Sequence, residues 1–478
     1  MPTENIRTYD VIVIGAGPTG ENVADRTAAA GLSTVIVEDE LIGGECSFWA
    51  CEPSKALLRP VLLHADARHL PGLDPAVGRP LDTAAVLAHR DRMSNDWADD
   101  DQVEWLKSVG VELLRGHGSL DGPRTVVVRT PEGETVRLRA RHAVVVCTGT
   151  RAALPDLPGI DALRPWTNRE ATSAKHAPGR LVVVGAGVVG TEMATAWQAL
   201  GSQVTLLARG DRLLPRMETF AGALVADSLR EAGADLRFDT TVSAAERTGD
   251  GEVRLTLSDG GELVADEILF AVGRDPNSAS LGLRTVGLTP GDWLSTDDSL
   301  TVTAVPGRWL YAAGDINHRA LLTHQGKYQA RIAGAVIAAR ARGAGVDTGR
   351  WATHSATADI EAVPQVVFTD PEIATVGLTT REAERTGRAV DVVDYEIGSV
   401  AGAVQYRTDY RGTARVLIDP DRRTVVGATF AGPGVAELLH SATIAVTGEV
   451  PVDRLWHAVP AFPTISEVWL RLLETYRG

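Results

Sequence analysis

Short apolar runs recur along the chain, and two of them sit in the same setting. Tyr9 to Ile14 is mostly apolar and rich in Val and Ile, which predicts a buried parallel strand. The glycine-rich segment Gly15-Ala16-Gly17-Pro18-Thr19-Gly20 follows at once. Glu21 to Ala30 then predicts a helix, and Ser33 to Val37 a second strand closed by Glu38. The order repeats: Arg180 to Val184 as a strand, Gly185-Ala186-Gly187-Val188-Val189-Gly190, a helix through Leu200, and a strand from Gln203 to Leu207. Pro53, behind Glu52, marks the first turn of another helix, which the run Ala56 to Arg68 continues.

A G-x-G-x-x-G turn between a strand and a helix is the setting a dinucleotide needs. The glycines make the tight turn and let a pyrophosphate approach the helix N-terminus, where N–H groups and the dipole favour an anion. In the first copy Gly15, Gly17 and Gly20 are the turn, and Glu38, 23 residues after Gly15, is placed to accept a hydrogen bond from a ribose hydroxyl. In the second copy Gly185, Gly187 and Gly190 are the turn, but the matching position is Ala208, followed by Arg209. An arginine there suits a 2′-phosphate. The first copy is therefore read as an FAD site and the second as an NADPH site, in preference to NADH. Arg212 and Arg216 are further phosphate candidates.

Composition narrows the setting. The chain has 478 residues, 44% apolar and 23% charged, with a net charge of −15. That is globular, long enough for about two to four domains, and argues against nucleic acid or an anionic membrane surface as partner. Met1 to Asp10 has no apolar signal core and no run approaches a membrane span, so a cytoplasmic protein is expected. Three cysteines cannot build a disulfide scaffold. Two of them, Cys46 and Cys51, lie close together in Gly43-Gly44-Glu45-Cys46-Ser47-Phe48-Trp49-Ala50-Cys51-Glu52-Pro53-Ser54-Lys55, with Cys51 near a helix N-terminus, a position that favours a thiolate. Five residues of ideal helix rise about 7.5 Å, beyond the usual Cα separation of a disulfide, so the Cys46–Ala50 stretch must leave the helix if the two are to bond. Buried reduced thiols remain open as the alternative; the eleven histidines show no zinc-ligand spacing.

The segment Gly44 to Leu58 resembles the redox-disulfide signature of the class I pyridine nucleotide–disulfide oxidoreductases, which include glutathione reductase, dihydrolipoamide dehydrogenase and mercuric reductase. The resemblance runs through Val144 to Thr150, Gly273-Arg274-Asp275-Pro276-Asn277, Leu310 to Asp315 and Phe368-Thr369-Asp370-Pro371-Glu372, and so covers nearly the whole chain. It implies an α/β fold of two Rossmann-like nucleotide-binding domains and a C-terminal α+β dimerisation domain. The expected limits are 1–150 and 280–350 for a discontinuous FAD domain, 151–279 for the NAD(P)H domain and 355–478 for dimerisation. It adds Lys55, Gly118, Thr148, Gly149, Gly314 and Asp315 to the FAD site, and Glu192, Gly273 and Arg274 to the NADPH site. It implies a circuit in which NADPH reduces the flavin, the flavin opens a Cys46–Cys51 disulfide through Cys51, and Cys46 exchanges with a small disulfide substrate. A homodimer is expected, because the family's C-terminal segment completes the partner's site.

The chain departs from the family at that segment. A His-Pro-Thr-x-x-Glu run is usual; here it reads Phe462-Pro463-Thr464-Ile465-Ser466-Glu467. Glu467 remains, Phe462 replaces the acid/base histidine, and His457 substitutes only if the intervening loop folds back. General acid–base help is worth about 10²–10⁴-fold, so its loss favours acceptors that need no proton from a dedicated histidine: a quinone, a metal ion or an activated disulfide. Glu45 and Glu52 add negative charge beside the thiols, and Phe48-Trp49 between the cysteines either pack or shape an apolar acceptor site.

Overall fold

The computed structural model describes residues 6–73 and 77–478. The chain divides into two compact units, one of Met1–Glu52, Ser94–Arg151 and Arg274–Ile360, the other of Pro53–Met93, Ala152–Gly273 and Glu361–Gly478. Its architecture is α/β, with two Rossmann-like nucleotide-binding units and a C-terminal α+β region. No helix among the described residues is long and apolar enough to cross a membrane.

The first unit is built on a seven-stranded sheet. Glu112–Arg115, Thr34–Glu38, Ile6–Ile14, Thr135–Val146 and Leu310–Ala312 lie parallel, and Thr125–Arg129 with His117–Leu120 continue the sheet as an antiparallel extension. Side chains alternate across it. Val11, Val13, Ile36 and Val145 pack on one face with Val23 and Ala24 of the helix Pro18–Ala29 and with Ala330, Ala333 and Val336 of the helix Thr323–Ala341. Ile12, Ile14, Val35, Val37, Val144 and Val146 face the other way, against Leu120, Val126, Leu281 and Val302. Each such side chain, fully buried, contributes about 1.5–3 kcal/mol, which outweighs the weaker intrinsic pairing of parallel strands. The helix starts at Pro18, inside the glycine motif, because Gly17 takes the extended N-cap conformation and Pro18 needs no N–H partner.

Register decides function here. Ile14 pairs with both Val37 and Val146, and Val146 with Ala312. Four neighbouring parallel strands therefore end level, and Gly15, Glu38, Cys147 and Ala313 leave from one edge. Carboxyl ends of parallel strands are where α/β sheets bind ligands.

In the second unit Asp235–Arg237, Gln203–Leu207, Arg180–Val184 and Glu267–Phe270 form a parallel sheet with the same level ending, Val184 opposite Leu207 and Phe270. The helix Val188–Ala199 that follows is buried on most of its surface, Trp197 completely, and buries the polar Thr191, Glu192 and Thr195 along with its apolar residues. A three-stranded antiparallel sheet, Val242–Arg247, Val253–Leu257 and Glu262–Ala265, lies in the same unit. Its C-terminal part is a five-stranded antiparallel sheet ordered Pro364–Val367, Glu372–Gly377, Thr424–Gly432, Thr413–Asp419, Asp391–Glu396, with helices Leu439–Thr447 and Glu467–Arg477.

Candidate active site

The two glycine turns are near-copies in space. Gly15 and Gly185 have φ of +97° and +124°, which L side chains rarely adopt. A Cβ on Gly20 would lie 1.9 Å from the Gly15 carbonyl oxygen, and one on Gly190 2.0 Å from that of Gly185. At Gly17 and Gly187 a Cβ would instead enter open space, with nothing within 4 Å, and no side chain caps either helix. Each turn is thus a cradle of backbone N–H groups with room above it for a pyrophosphate.

The first cradle is completed by acids. Glu38 is buried and held by the N–H of Ala16 at 2.6 Å and of Glu40 at 2.8 Å, one on each carboxylate oxygen. Burial pushes its carboxyl up and the two N–H groups oppose that. Each oxygen keeps a lone pair for a ribose hydroxyl. At the same edge Thr148 donates to the Asn277 carbonyl, Asn277 returns a bond to the Thr148 carbonyl, and Gly149 accepts from the Asn277 N–H. Asp315 accepts from Thr150 Oγ1 at 2.9 Å, and burial raises its carboxyl. Gly314 stands where a Cβ would meet Thr19 Oγ1 at 2.8 Å. Gly118 fits by packing: a Cβ would press on Val37 and Ile14. Level strand ends, an uncapped helix and buried acids fit FAD.

The second cradle has no acid at the equivalent place. Ala208 is buried there, Arg209 and Arg216 are exposed, and the Nε of Arg212 is buried without a hydrogen-bond partner. Glu192, one turn into the second helix, is a buried acid rather than a solvated one. It accepts from Lys55 Nζ at 2.8 Å and from the Phe368 N–H at 2.9 Å, and Lys55 also stands 5.0 Å from the Phe368 ring centre. Gly273 has φ +154° and its carbonyl accepts from Ala153. Arg274 lies instead in the first unit, where its guanidinium donates to Thr150 Oγ1 and to the Thr150 carbonyl and sits 3.6 Å from Glu45.

Between the glycines Gly43 and Gly44, both at positive φ, and the start of the helix Cys51–Arg68, the chain makes one helical turn, Gly44–Phe48. Trp49, at φ −134°, ends it. The break brings the two thiols together: Cys46 is hydrogen-bonded to Cys51, and the two are not joined by an S–S bond in this structure. That bond, burial and the negative charge of Cys51 push the Cys46 thiol far up; Glu52 adds to this, and the Thr323 hydroxyl opposes it. Cys51 Sγ lies 3.2 Å from Thr323 Oγ1, at the first turn of the 19-residue helix Thr323–Ala341. Phe48 is buried, 5.7 Å from the Trp49 ring, so this aromatic packs. Glu45 faces Arg274.

The C-terminal residues do not gather within the chain. His457 is exposed, Val459 and Phe462 are 86% and 75% exposed, and Glu467 is buried with Oε2 unpartnered. Sequence reasoning missed Thr323, whose helix and hydroxyl face Cys51 from 272 residues away in the chain, and Thr150, which links Arg274 to Asp315.

A family model for pyridine nucleotide-disulphide oxidoreductases matches residues 9–341, and a second, for the dimerisation domain of the same oxidoreductases, matches 363–472. Dihydrolipoyl dehydrogenase 3 of Pseudomonas aeruginosa is 32% identical over 475 residues, covering 97% of this chain and 96% of that protein. Mercuric reductase of Staphylococcus aureus is 27% identical over 466 residues, covering 96% and 81%. Among solved structures, LpdA of Mycobacterium tuberculosis superposes with a TM-score of 0.82 at 25% identity, covering 98% of this chain and 99% of that one. The HOCl-induced flavoprotein disulfide reductase RclA of Escherichia coli gives 0.82 at 22%, with the same coverage, and bears on fold alone.

Proposed function

The chain belongs to the pyridine nucleotide-disulphide oxidoreductase family, and we propose on that premise that it is an NADPH-dependent reductase that passes electrons to a disulfide acceptor through Cys46 and Cys51. It is an FAD-dependent oxidoreductase that works with a pyridine nucleotide. Bound FAD supplies the step from two-electron hydride chemistry to disulfide reduction. The residues Gly15, Gly17, Gly20, Glu38, Thr148, Gly149 and Asp315 are proposed to hold it, and Gly185, Gly187, Gly190, Glu192 and Arg209 to hold the nicotinamide nucleotide.

The observation that carries the proposal is the cysteine pair, hydrogen-bonded across a helix break with Cys51 against Thr323. Cys51 keeps the thiolate and Cys46 the proton until a substrate arrives. Cys46, as thiolate, then attacks one sulfur of the acceptor disulfide and releases the other as a thiol. Cys51 attacks the mixed disulfide at Cys46, which releases the second thiol and forms the Cys46–Cys51 bond. Cys46 gives its proton to the first product; Cys51 starts as a thiolate and brings none, so the second product takes its proton from solvent, and the exchange balances. For the nucleotide, Ala208 and the cluster Arg209, Arg212 and Arg216 support NADPH, since a 2′-phosphate gives the buried Arg212 Nε an acceptor. A homodimer follows from the dimerisation domain, which leaves Val459 and Phe462 exposed in one chain. An anaerobic NADPH titration tests the proposal. A long-wavelength charge-transfer band at two electrons is expected, and bleaching without it sinks the dithiol route.

Phe462 favours a second reading, a quinone, diaphorase-type or metal-ion reductase in which no histidine protonates a leaving thiol. Cys46→Ser separates the two: disulfide turnover is lost on the first reading, and quinone turnover survives on the second.

A further inference from the structure

Cys46 sits on a helix of five residues, Gly44–Phe48, bounded by left-handed glycines on one side and by Trp49 on the other. One turn has no stability of its own, since nucleation outweighs a single hydrogen bond. Its position is set by what it touches. Phe48 anchors one side in the core, and the Gly43 N–H binds the Ala16 carbonyl at 2.8 Å. On the other side Glu45, the neighbour of Cys46, faces the Arg274 guanidinium. That guanidinium is fixed by two bonds to Thr150, at 2.9 and 2.8 Å, and the Thr150 hydroxyl continues to Asp315. Two half-buried carboxylates, Glu45 and Asp315, are thus linked through one arginine and the Thr150 hydroxyl.

We infer that Glu45 is a positioning residue that, through Arg274 and Thr150, tethers the Cys46 turn to Asp315 and so holds the Cys46 thiol against Cys51. The inference rests on the reading of Cys46 as the exchanging thiol. Glu45 acts here through its geometry: Arg274 stands against its carboxylate, and the charges of Cys51 and Glu52 bear on Cys46 as well. A loosened turn lets the thiol leave Cys51 and become accessible.

The test is the rate of Cys46 alkylation by iodoacetamide in dithiol-reduced holoenzyme at pH 7, with Glu45→Gln, Arg274→Gln and the double variant. A tether predicts that both single variants accelerate alkylation, by about fivefold or more, and that the double variant is no faster than the faster single one. A pure charge effect predicts opposite signs, because removing Glu45 promotes the Cys46 thiolate and removing Arg274 opposes it. Opposite signs, full additivity or no change in Glu45→Gln would each overturn the tether. If Arg274→Gln does not fold, Thr150→Val breaks the link to Asp315 with no change of charge and is expected to accelerate alkylation; an unchanged rate overturns the proposal. Arg274→Lys keeps the charge and loses the fork, so full wild-type protection in that variant also counts against it. Absence of the charge-transfer band in wild type would instead remove the dithiol reading, which the alkylation pattern does not touch.

Discussion

The two glycine cradles are built alike and finished differently. Both place a left-handed glycine after a parallel strand, an open glycine at an uncapped helix start and a third glycine against the first one's carbonyl. What differs is the lining. The first has Glu38 at the second strand's end and Glu21 in the helix's first turn; the second has Ala208 and Thr191 at the matching positions, with arginines beyond. On the proposed reading, a shared backbone binds the shared part of two dinucleotides, their pyrophosphate, and the side chains at the strand end separate a free ribose from a phosphorylated one. On that reading, cofactor class rests on the glycines and the choice of nucleotide on the strand-end position.

The comparison breaks most sharply at the third glycine. A side chain on Gly20 or Gly190 meets a carbonyl at about 2 Å, and overpacking of that kind costs about 1–3 kcal/mol or more. Gly20→Val is expected to yield colourless protein, read from the ratio of flavin to protein absorbance. Gly190→Val is expected to stay yellow and lose about a hundredfold in kcat/KM for NADPH. Loss of flavin from the Gly190 variant would mean that the two cradles are not independent. A smaller effect is expected at the strand ends. Arg209→Ala removes a charge-assisted contact worth about 1.5–3 kcal/mol, so kcat/KM for NADPH should fall about tenfold to a hundredfold while that for NADH holds. Equal losses with both nucleotides would take Arg209 out of the 2′-phosphate site. Smaller again is Glu38→Gln, which keeps an oxygen for the Ala16 N–H but loses the charge. Flavin should bind about fivefold more weakly by equilibrium dialysis, and unchanged binding would remove Glu38 from ribose recognition.

Much of this was legible in the sequence because it is local. The glycine spacings, the strands at 180–184 and 203–207 and the helix from Cys51 to Arg68 depend on neighbours in the chain. The strand Thr135–Val146 shows where locality ends. Its first half alternates, with Arg137, Arg139 and Arg141 interleaved with Val136, Leu138 and Ala140, and its second half, Ala143 to Val146, is continuous and apolar. One strand therefore pairs with the antiparallel Thr125–Arg129 at its start, with the parallel Leu310–Ala312 at its end and with Ile6–Ile14 throughout. Arg274 was legible as a motif residue but not as the partner of Glu45, because that pairing joins positions far apart in the chain. Thr323 escaped notice because a single threonine at a helix start carries no pattern until the fold brings it to Cys51. Glu52 adds to the charge that raises the Cys46 thiol, and Glu45 also meets Arg274, a partner no local pattern foretold.

The gentlest test of the comparison lies at Glu21. Burial raises its carboxyl to about 7, helped by the charge of Glu38 and opposed by Lys327. The matching Thr191 is buried with its hydroxyl satisfied by the Gly187 carbonyl at 2.9 Å and does not titrate. An acid whose folded value lies above its unfolded one is held protonated by the fold. Below pH 4.5 both states carry the proton and nothing is lost. As pH rises from there to about 7, the unfolded chain releases the proton first, so stability falls, and the penalty is complete above 7. Discounted for partial exposure, it amounts to about 1–2 kcal/mol, or about 1–2 °C in a chain of this length. Glu21→Gln should therefore gain melting temperature over wild type progressively between pH 5 and 8, by thermal denaturation of holoenzyme, while Thr191→Val shifts it by the same amount at every pH. A Glu21→Gln difference that is flat with pH would mean that the carboxyl is ionised throughout, and the two helix starts would then differ in charge where they are argued to differ in the cost of acquiring one.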